Sequence, residues 1–232
     1  MRDAYKEQWL KSIFLNKKGF WSLEAKIGTS MDLPLPQGQE LALARTMGSK
    51  RSQEFLLGRQ LIQKGLLELG HAGGPILMGP NGEPIWPEGL SGSITHHREN
   101  VWVVLSTDDT LVGIDLEATS RLKPALWKKI LTPEEIEWIH KMPMGTQNQW
   151  ATFIFSAKEA YFKMQFQKTQ ARLGFLQGSV ELLVLELNLV AESIHGQWKI
   201  EVPCAKIASA QGYFWIDRDK TYTIAMHPKW ID

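Results

Sequence analysis

The spacing of apolar residues changes along this chain, and each change marks an element. Between 49 and 69, Phe55, Leu56, Ile62, Leu66 and Leu69 recur at helical spacing, and Gly70 is placed to end the helix. A second long helix is predicted over 147–167. Alternation predicts a strand at 20–27 and a hairpin of 93–97 with 101–106, turning at Arg98-Glu99-Asn100. Residues 111–117 also read as a strand. Side chains alternate across a strand, so Asp115 and Glu117 share one face while Ile114 and Leu116 take the other. Further strands are predicted at 179–189, 197–202, 212–217 and 222–226. The stretch 123–141 gives two short helices broken at Thr132-Pro133, with Thr132 as N-cap, Pro133 at the first helical position and Glu135 completing a capping box. Pro34-Leu35-Pro36 with Gly38 marks a loop, and 71–92, dense in Gly and Pro, an irregular but pinned one.

Strand, long helix and antiparallel strands thus occur twice. The expected fold class is α+β, with two pseudo-symmetric halves, 1–110 and 111–232, each a small antiparallel sheet packed with a long helix. No residue-level repeat supports the duplication, which rests on element order alone. A chain of 232 residues accommodates this, and 44% hydrophobic with 22% charged residues is the balance of an ordinary globular protein. The net charge of +1 provides no broad field for nucleic acid or acidic lipid, so any anion site must be local. Basic residues do not interleave with aromatics along one element, which also argues against nucleic acid. One cysteine, Cys204, excludes an internal disulfide and fits a reducing compartment. The apolar run Leu10–Leu15 is short and interrupted, and is followed by Lys17-Lys18; it predicts neither a signal peptide nor a membrane span, so the protein reads as cytoplasmic. Of the ten tryptophans, Trp21, Trp86, Trp102, Trp150, Trp198 and Trp215 are expected in the core, whereas Trp127 and Trp138 are the better candidates for a partner-binding surface.

The chemistry concentrates between 112 and 163. Glu159 and Lys163 lie one turn apart on one helical face, downstream of Asp115 and Glu117. Magnesium takes one or two carboxylates plus phosphate oxygens and water, and a lysine supplies the point charge that phosphate needs. Three converging acids repel unless a cation sits between them. The plainer alternative is two solvated acids on a surface strand and an ordinary Glu–Lys helix pair. There is no Walker-type loop and no Gly-x-Gly-x-x-Gly opening a helix. His96 and His97 are neighbours on a strand, so one of them faces any site, and no cysteine–histidine cluster suggests zinc.

Four stretches carry a resemblance: Gly82-Glu83-Pro84-Ile85-Trp86-Pro87, Gly92-Ser93-Ile94-Thr95-His96-His97, Val112-Gly113-Ile114-Asp115-Leu116-Glu117 and Phe155-Ser156-Ala157-Lys158-Glu159-Ala160-Tyr161-Phe162-Lys163. In order and spacing they resemble the Sfp-type 4′-phosphopantetheinyl transferase superfamily, and most of all the enterobactin synthetase component D group, firmly over about 51–163 and loosely beyond. The resemblance implies transfer of phosphopantetheine from coenzyme A to a carrier-protein serine, with release of 3′,5′-ADP. It implies Asp115, Glu117 and Glu159 as ligands of magnesium (or manganese), with Glu159 doubling as the base that takes the serine proton. Lys163 would hold the α-phosphate, assisted by Lys158, which lies about 100° round the helix from Glu159. Thr95 and His96 would sit at the pyrophosphate; His97, where the family more often has a small residue, reads as a hydrogen-bonded structural histidine. Arg59 and Arg51, with Lys50 beside it, would grip the 3′-phosphate from one helix. Pro84 and Trp86 would lie near the nucleotide, with Glu83 facing solvent.

The implied architecture is a monomer holding coenzyme A and metal between its halves near Val112. The N-terminal half would take the nucleotide side, and the C-terminal half the metal, base and carrier docking. The implied partner is an acidic four-helix acyl, aryl or peptidyl carrier domain, docking on 123–141 through Trp127, Ile130, Ile136 and Trp138 beside Lys128 and Lys129, in siderophore, nonribosomal peptide or polyketide synthesis. Two alternatives stay open: a catalytically silent paralogue that binds coenzyme A, and another magnesium-dependent phosphoryl or nucleotidyl transferase using the same acids.

Overall fold

Two antiparallel sheets of unequal size, each backed by one long helix, make up the computed structural model, which describes residues 2–14, 19–29, 31–36, 38–108 and 110–228. Leu15 and the Lys17-Lys18 pair lie outside the described residues. The smaller sheet has the order β1–β3–β2, from β1 (Phe20–Lys26), β2 (Ser91–His97) and β3 (Asn100–Ser106). It packs on α3 (Ser49–Glu68) through Leu57, Leu61, Ile62, Leu66, Val101, Val103 and Leu105. Helix α3 ends as its sequence predicts: Gly70 takes φ 81°, His71 N–H donates to the Leu66 carbonyl and Gly70 N–H to that of Leu67, closing the helix with a left-handed residue that glycine adopts without strain.

The larger sheet has the order β4–β8–β7–β6–β5, from β4 (Thr110–Ala118), β5 (Ser179–Asn188), β6 (Ser193–Glu201), β7 (Ser209–Ile216) and β8 (Lys220–Pro228). Helix α6 (Gln147–Thr169) lies across one face, burying Trp150, Phe153, Ile154, Tyr161 and Met164 against Trp198, Ile200 and Phe214. At Gly113 the approach of β4 to α6 is so close that a Cβ would stand 2.6 Å from the Met164 amide nitrogen, which explains a glycine in mid-strand. Helices α4 (Pro124–Ile130) and α5 (Pro133–His140) follow β4, and the expected Thr132–Glu135 capping box is formed in full. The α+β class with two antiparallel sheets therefore stands.

Two helices escaped the sequence pattern. Helix α1 (Arg2–Phe14) packs on the opposite face of the larger sheet, with Trp9 and Trp215 ring centroids 5.7 Å apart, so the start of the chain docks on its C-terminal half. Lys6 of α1 reaches the Glu24 carboxylate at 2.5 Å, and that carboxylate also accepts from Lys220 and the Tyr222 hydroxyl. Helix α2 (Gln39–Arg45) supplies Glu40, discussed below. Trp102, Trp150, Trp198 and Trp215 are buried as expected and Trp21 and Trp86 half-buried, but Trp127 is buried too, because α4 lies down on the α6 core. It offers no partner surface. No described helix is long and apolar enough to cross a membrane.

Candidate active site at the seam between the halves

The edge of β4 that faces away from β8 meets β2, and side chains rather than a backbone ladder join them. Val112 N–H donates to Ser91 Oγ and Ile114 N–H to Ser93 Oγ, each at 3.0 Å, and Thr95 Oγ1 donates to Asp115 Oδ1 at 3.4 Å. These are alternate residues of β2, so one face of that strand is spent on the seam. Gln167 on α6 clasps it: its amide oxygen accepts from Ser91 Oγ at 2.9 Å and its amide nitrogen donates to the Val112 carbonyl at 2.7 Å. Beside the seam opens a cleft of about 780 Å³, lined from both halves.

From the N-terminal half, α3 presents Arg51, Glu54, Phe55, Gly58 and Arg59, spaced as one helical face. Arg59 is 3% exposed, pairs with Glu40 at 3.7 Å and lies 4.5 Å over the Phe55 ring. Burial, opposed by Glu40 and aided by Arg51, pulls its pKa down to about 10, which leaves it cationic. Its Nε, the atom nearest Glu40, is buried without a hydrogen-bond acceptor. Arg51 donates to His96 Nε2 at 2.7 Å, so both flank one patch of wall. Burial lowers the His96 pKa, with Glu54 opposing and Arg51 adding to the fall. His97 does not line the cleft; burial and Arg98 lower its pKa. Pro84 and Trp86 line the cleft, and the indole packs so close to Gly92 that a Cβ there would stand 2.6 Å from it. Glu83, expected to face solvent, is half-buried: its carboxylate accepts the Asn81 N–H at 2.9 Å and pins its own loop.

From the C-terminal half come the acids. Asp115 is 4% and Glu117 5% exposed, on the predicted common face. Asp115 accepts from Lys163 at 2.7 Å and Ser156 at 2.9 Å, and Glu117 pairs with Arg121 one turn of chain away. Burial, then the Asp115 charge, push the Glu117 carboxyl up to about 7. Glu159 is half-buried beside them; burial raises its pKa, with Lys163 opposing and Asp115 reinforcing. It faces a smaller adjoining cavity of about 180 Å³ that shares Phe162 and Leu173 with the cleft.

Among the described residues no three acidic, histidine or cysteine side chains stand at metal-binding spacing, so Glu159 does not converge with the strand acids on one point. Asp115 and Glu117 fit a hard divalent cation by their chemistry: two crowded, buried carboxylates whose mutual repulsion already raises one of them. Lys158 is placed elsewhere. It borders only the smaller cavity, and its ammonium is buried against Glu135 at 2.6 Å with the Ile130 and Phe175 carbonyls as further acceptors, because 100° of helical rotation turns it from the cleft into the core. The polar cleft residues missed from sequence include Arg121, Gln167, and Arg172, which reaches Asn81 at 2.5 Å across the rim. The one signal was that Gln167 lies a turn beyond Lys163.

Comparison with known proteins agrees with this geometry. A family model described as "4′-phosphopantetheinyl transferase N-terminal domain" matches residues 39–106, and one described as "4′-phosphopantetheinyl transferase superfamily" matches 111–213. The chain is 37% identical over 145 residues to 4′-phosphopantetheinyl transferase PptT of Mycobacterium tuberculosis, covering 61% of this chain and 62% of that one. It is 30% identical over 152 residues to 4′-phosphopantetheinyl transferase Npt of Nocardia iowensis, with 64% and 67% covered. To enterobactin synthase component D of Escherichia coli it is 34% identical over 131 residues, with 56% and 61% covered. The matched stretch is thus less than two thirds of the first and last of these relatives. With family models matching 39–106 and 111–213, and two thirds of Npt covered at 30% identity, this chain belongs to the 4′-phosphopantetheinyl transferase superfamily.

Proposed function

We propose that this protein transfers 4′-phosphopantetheine from coenzyme A to a serine of an apo-carrier protein and releases 3′,5′-ADP. The observation that carries the reading is the cleft itself, where Arg51, Arg59, His96 and Lys163 from both halves surround two buried acids. Arg59 and Arg51, cations on one wall of the cleft, suit the 3′-phosphate, and His96, Thr95 and Lys163 the pyrophosphate. Asp115 and Glu117 would hold magnesium (or manganese), which when bound offsets the charge gathering on departing ADP. Glu159 takes the proton of the attacking serine hydroxyl, for which a carboxyl raised by burial is a better acceptor than a solvated one. The serine oxygen bonds to the phosphorus that carries pantetheine as the bond from that phosphorus to the ADP oxygen breaks, and Lys163 meets the charge on the leaving side. The apolar walls of the smaller cavity, Phe162, Leu173 and Phe175, suit the pantetheine arm.

The carrier would dock beside the acids on 123–141, where Lys128 and Lys129 are exposed and suit an acidic partner. Leu126, Met144 and Leu176, exposed nearby, take the apolar role first given to Trp127. Likeness to enterobactin synthase component D supports siderophore, nonribosomal peptide or polyketide carriers, and the exposed, unpaired Cys204 suits the cytoplasm. The test is intact-mass analysis of several apo-carriers after incubation with the protein, coenzyme A and magnesium. A phosphopantetheine increment is expected, with carrier KM raised when Lys128 and Lys129 are both changed to Glu. No increment on any carrier removes the proposal; an unchanged KM removes the docking face.

A further inference from the structure

The cations of the cleft are not equally free. Among the described residues five lysines and arginines line it, and four of these already face a carboxylate. Arg51 meets Glu54 and Arg59 meets Glu40, each at 3.7 Å, Lys163 meets Asp115 at 2.7 Å, and Arg121 pairs with Glu117. The fifth, Arg172, has no carboxylate partner among the described residues; its guanidinium donates to the side-chain oxygen of Asn81, a neutral amide. Its backbone, by contrast, is firmly placed. Gln170 turns the chain back from the end of α6 with φ 54°, and Gln165 and Thr169 then hold Ala171 by its carbonyl at 2.9 Å and its N–H at 3.1 Å. Beyond Arg172, Leu173 packs on the core of the larger sheet and the Phe175 carbonyl accepts from Lys158 at 2.9 Å. The loop is anchored on both sides, while Arg172 itself stands exposed at the rim.

We propose that Arg172 is a further coenzyme A-binding residue: its guanidinium leaves Asn81 and takes a phosphate of the coenzyme, closing the rim from the side of the C-terminal half. This role rests on coenzyme A as the substrate of the cleft. The exchange is favourable because a bond to a neutral amide oxygen gives way to one with an anionic oxygen, about twice as strong, and the guanidinium fork can make two such bonds at once. No ion pair has to be broken first, which is not true of the other four cations. Arg51 and Arg59 approach the ligand from α3, whereas Arg172 approaches from the loop after α6, where Leu173 borders both the cleft and the smaller cavity. The 3′-phosphate and the pyrophosphate of coenzyme A offer a guanidinium the same chemistry, anionic oxygens on phosphorus.

Titration calorimetry of the full chain with coenzyme A and with 3′-dephospho-coenzyme A, magnesium present, tests this on the wild type, Arg172→Gln and Asn81→Ala. Arg172→Gln should bind coenzyme A about tenfold more weakly, near the worth of one charge-assisted hydrogen bond, and melt with the wild type. The gap should narrow as salt rises, because an exposed charge is screened. Asn81→Ala, which frees the guanidinium, should bind coenzyme A at least as tightly as the wild type. A loss that disappears with 3′-dephospho-coenzyme A assigns Arg172 to the 3′-phosphate, and one that persists assigns it to the pyrophosphate. Equal affinity in wild type and Arg172→Gln overturns the inference while leaving coenzyme A as the substrate. So does a loss reproduced by Asn81→Ala, which would make the Arg172–Asn81 bond a loop fastening only. Should Arg172→Gln melt lower, the salt series decides: a loss that salt leaves unchanged overturns the inference too. A wild type that binds no coenzyme A overturns the proposed function and this inference together.

Discussion

Changing Lys158 separates a lysine that holds the fold from one that grips phosphate. Its ammonium and the Glu135 carboxylate are 4% and 2% exposed and 2.6 Å apart. Lys158→Ala leaves that carboxylate buried with no opposite charge, and breaking a buried pair from one side costs about 3–5 kcal/mol. Glu135 has no escape to water, because it also accepts the N–H groups of Thr132 and Val180 and so ties the start of α5 to the start of β5. At about 2–4 °C per kcal/mol for a chain of this size, the melting midpoint should fall by about 10 °C. Lys158→Met with Glu135→Gln removes both charges, keeps most of the volume and should recover more than half of that loss. Melting followed by circular dichroism, with the KM for coenzyme A measured on all three proteins, tests the reasoning. It is refuted if Lys158→Ala melts with the wild type while its KM for coenzyme A rises about tenfold, a 1.4 kcal/mol loss of ligand contact.

Glu159→Gln should lower kcat by about 10²–10⁴, the usual worth of a general base, and spare coenzyme A binding in calorimetry more than Asp115→Asn does; equal losses in both would make Glu159 a ligand only. Gln167→Leu strands the Val112 carbonyl and should cost about 1–3 kcal/mol, read as a lower melting midpoint, whereas an unchanged midpoint makes the clasp dispensable. Burial raises the Glu24 pKa, but the Lys6 and Lys220 charges outweigh it and hold the carboxyl below its ordinary value. Such a group adds stability above its unfolded pKa of about 4.3 and loses it as pH falls through the folded value, so protection of the α1 amides should drop in acid below about pH 4. Glu24→Gln should flatten that pH dependence, and an equal acid response in both proteins would place the weak point elsewhere.

What could be read from the sequence was local. The Asp115/Glu117 face follows from strand alternation, the end of α3 from Gly70, and the break between α4 and α5 from Thr132-Pro133 with Glu135, each settled within a few residues. The missed pieces answer to distant partners. Helix α1 has its apolar face matched to Trp215 and Tyr222 of the last strands, and α2 is a seven-residue helix fixed by Glu40 meeting Arg59 and the Ile76 N–H. Arg121 and Arg172 lie in loops where any arginine passes for a solvated one until the fold brings Glu117 and Asn81 to them. Lys158 was misjudged for the same reason: the sequence gives its angle on the helix but not that Glu135 waits at that angle.

The seam explains why the acids lie where they do. An edge strand exposes a row of N–H and C=O groups, and the usual remedy is another strand about 4.8 Å away. On β4 the remedy is hydroxyls, an amide and an ammonium: Ser91 and Ser93 for the N–H groups, Gln167 and Lys163 for the carbonyls. Interposed side chains hold β2 farther from β4 than a ladder would, and the gap between the strands opens into the cleft. Lys163 then carries two duties at one nitrogen, since it bonds the Ile114 carbonyl at 3.1 Å and Asp115 at 2.7 Å. A charged side chain used as an edge cap stays near the strand while remaining free to shift toward an incoming phosphate, which a backbone carbonyl or amide in a ladder cannot do. The polar residues that join the halves are therefore the ones that leave room, and charge, for an anion between them.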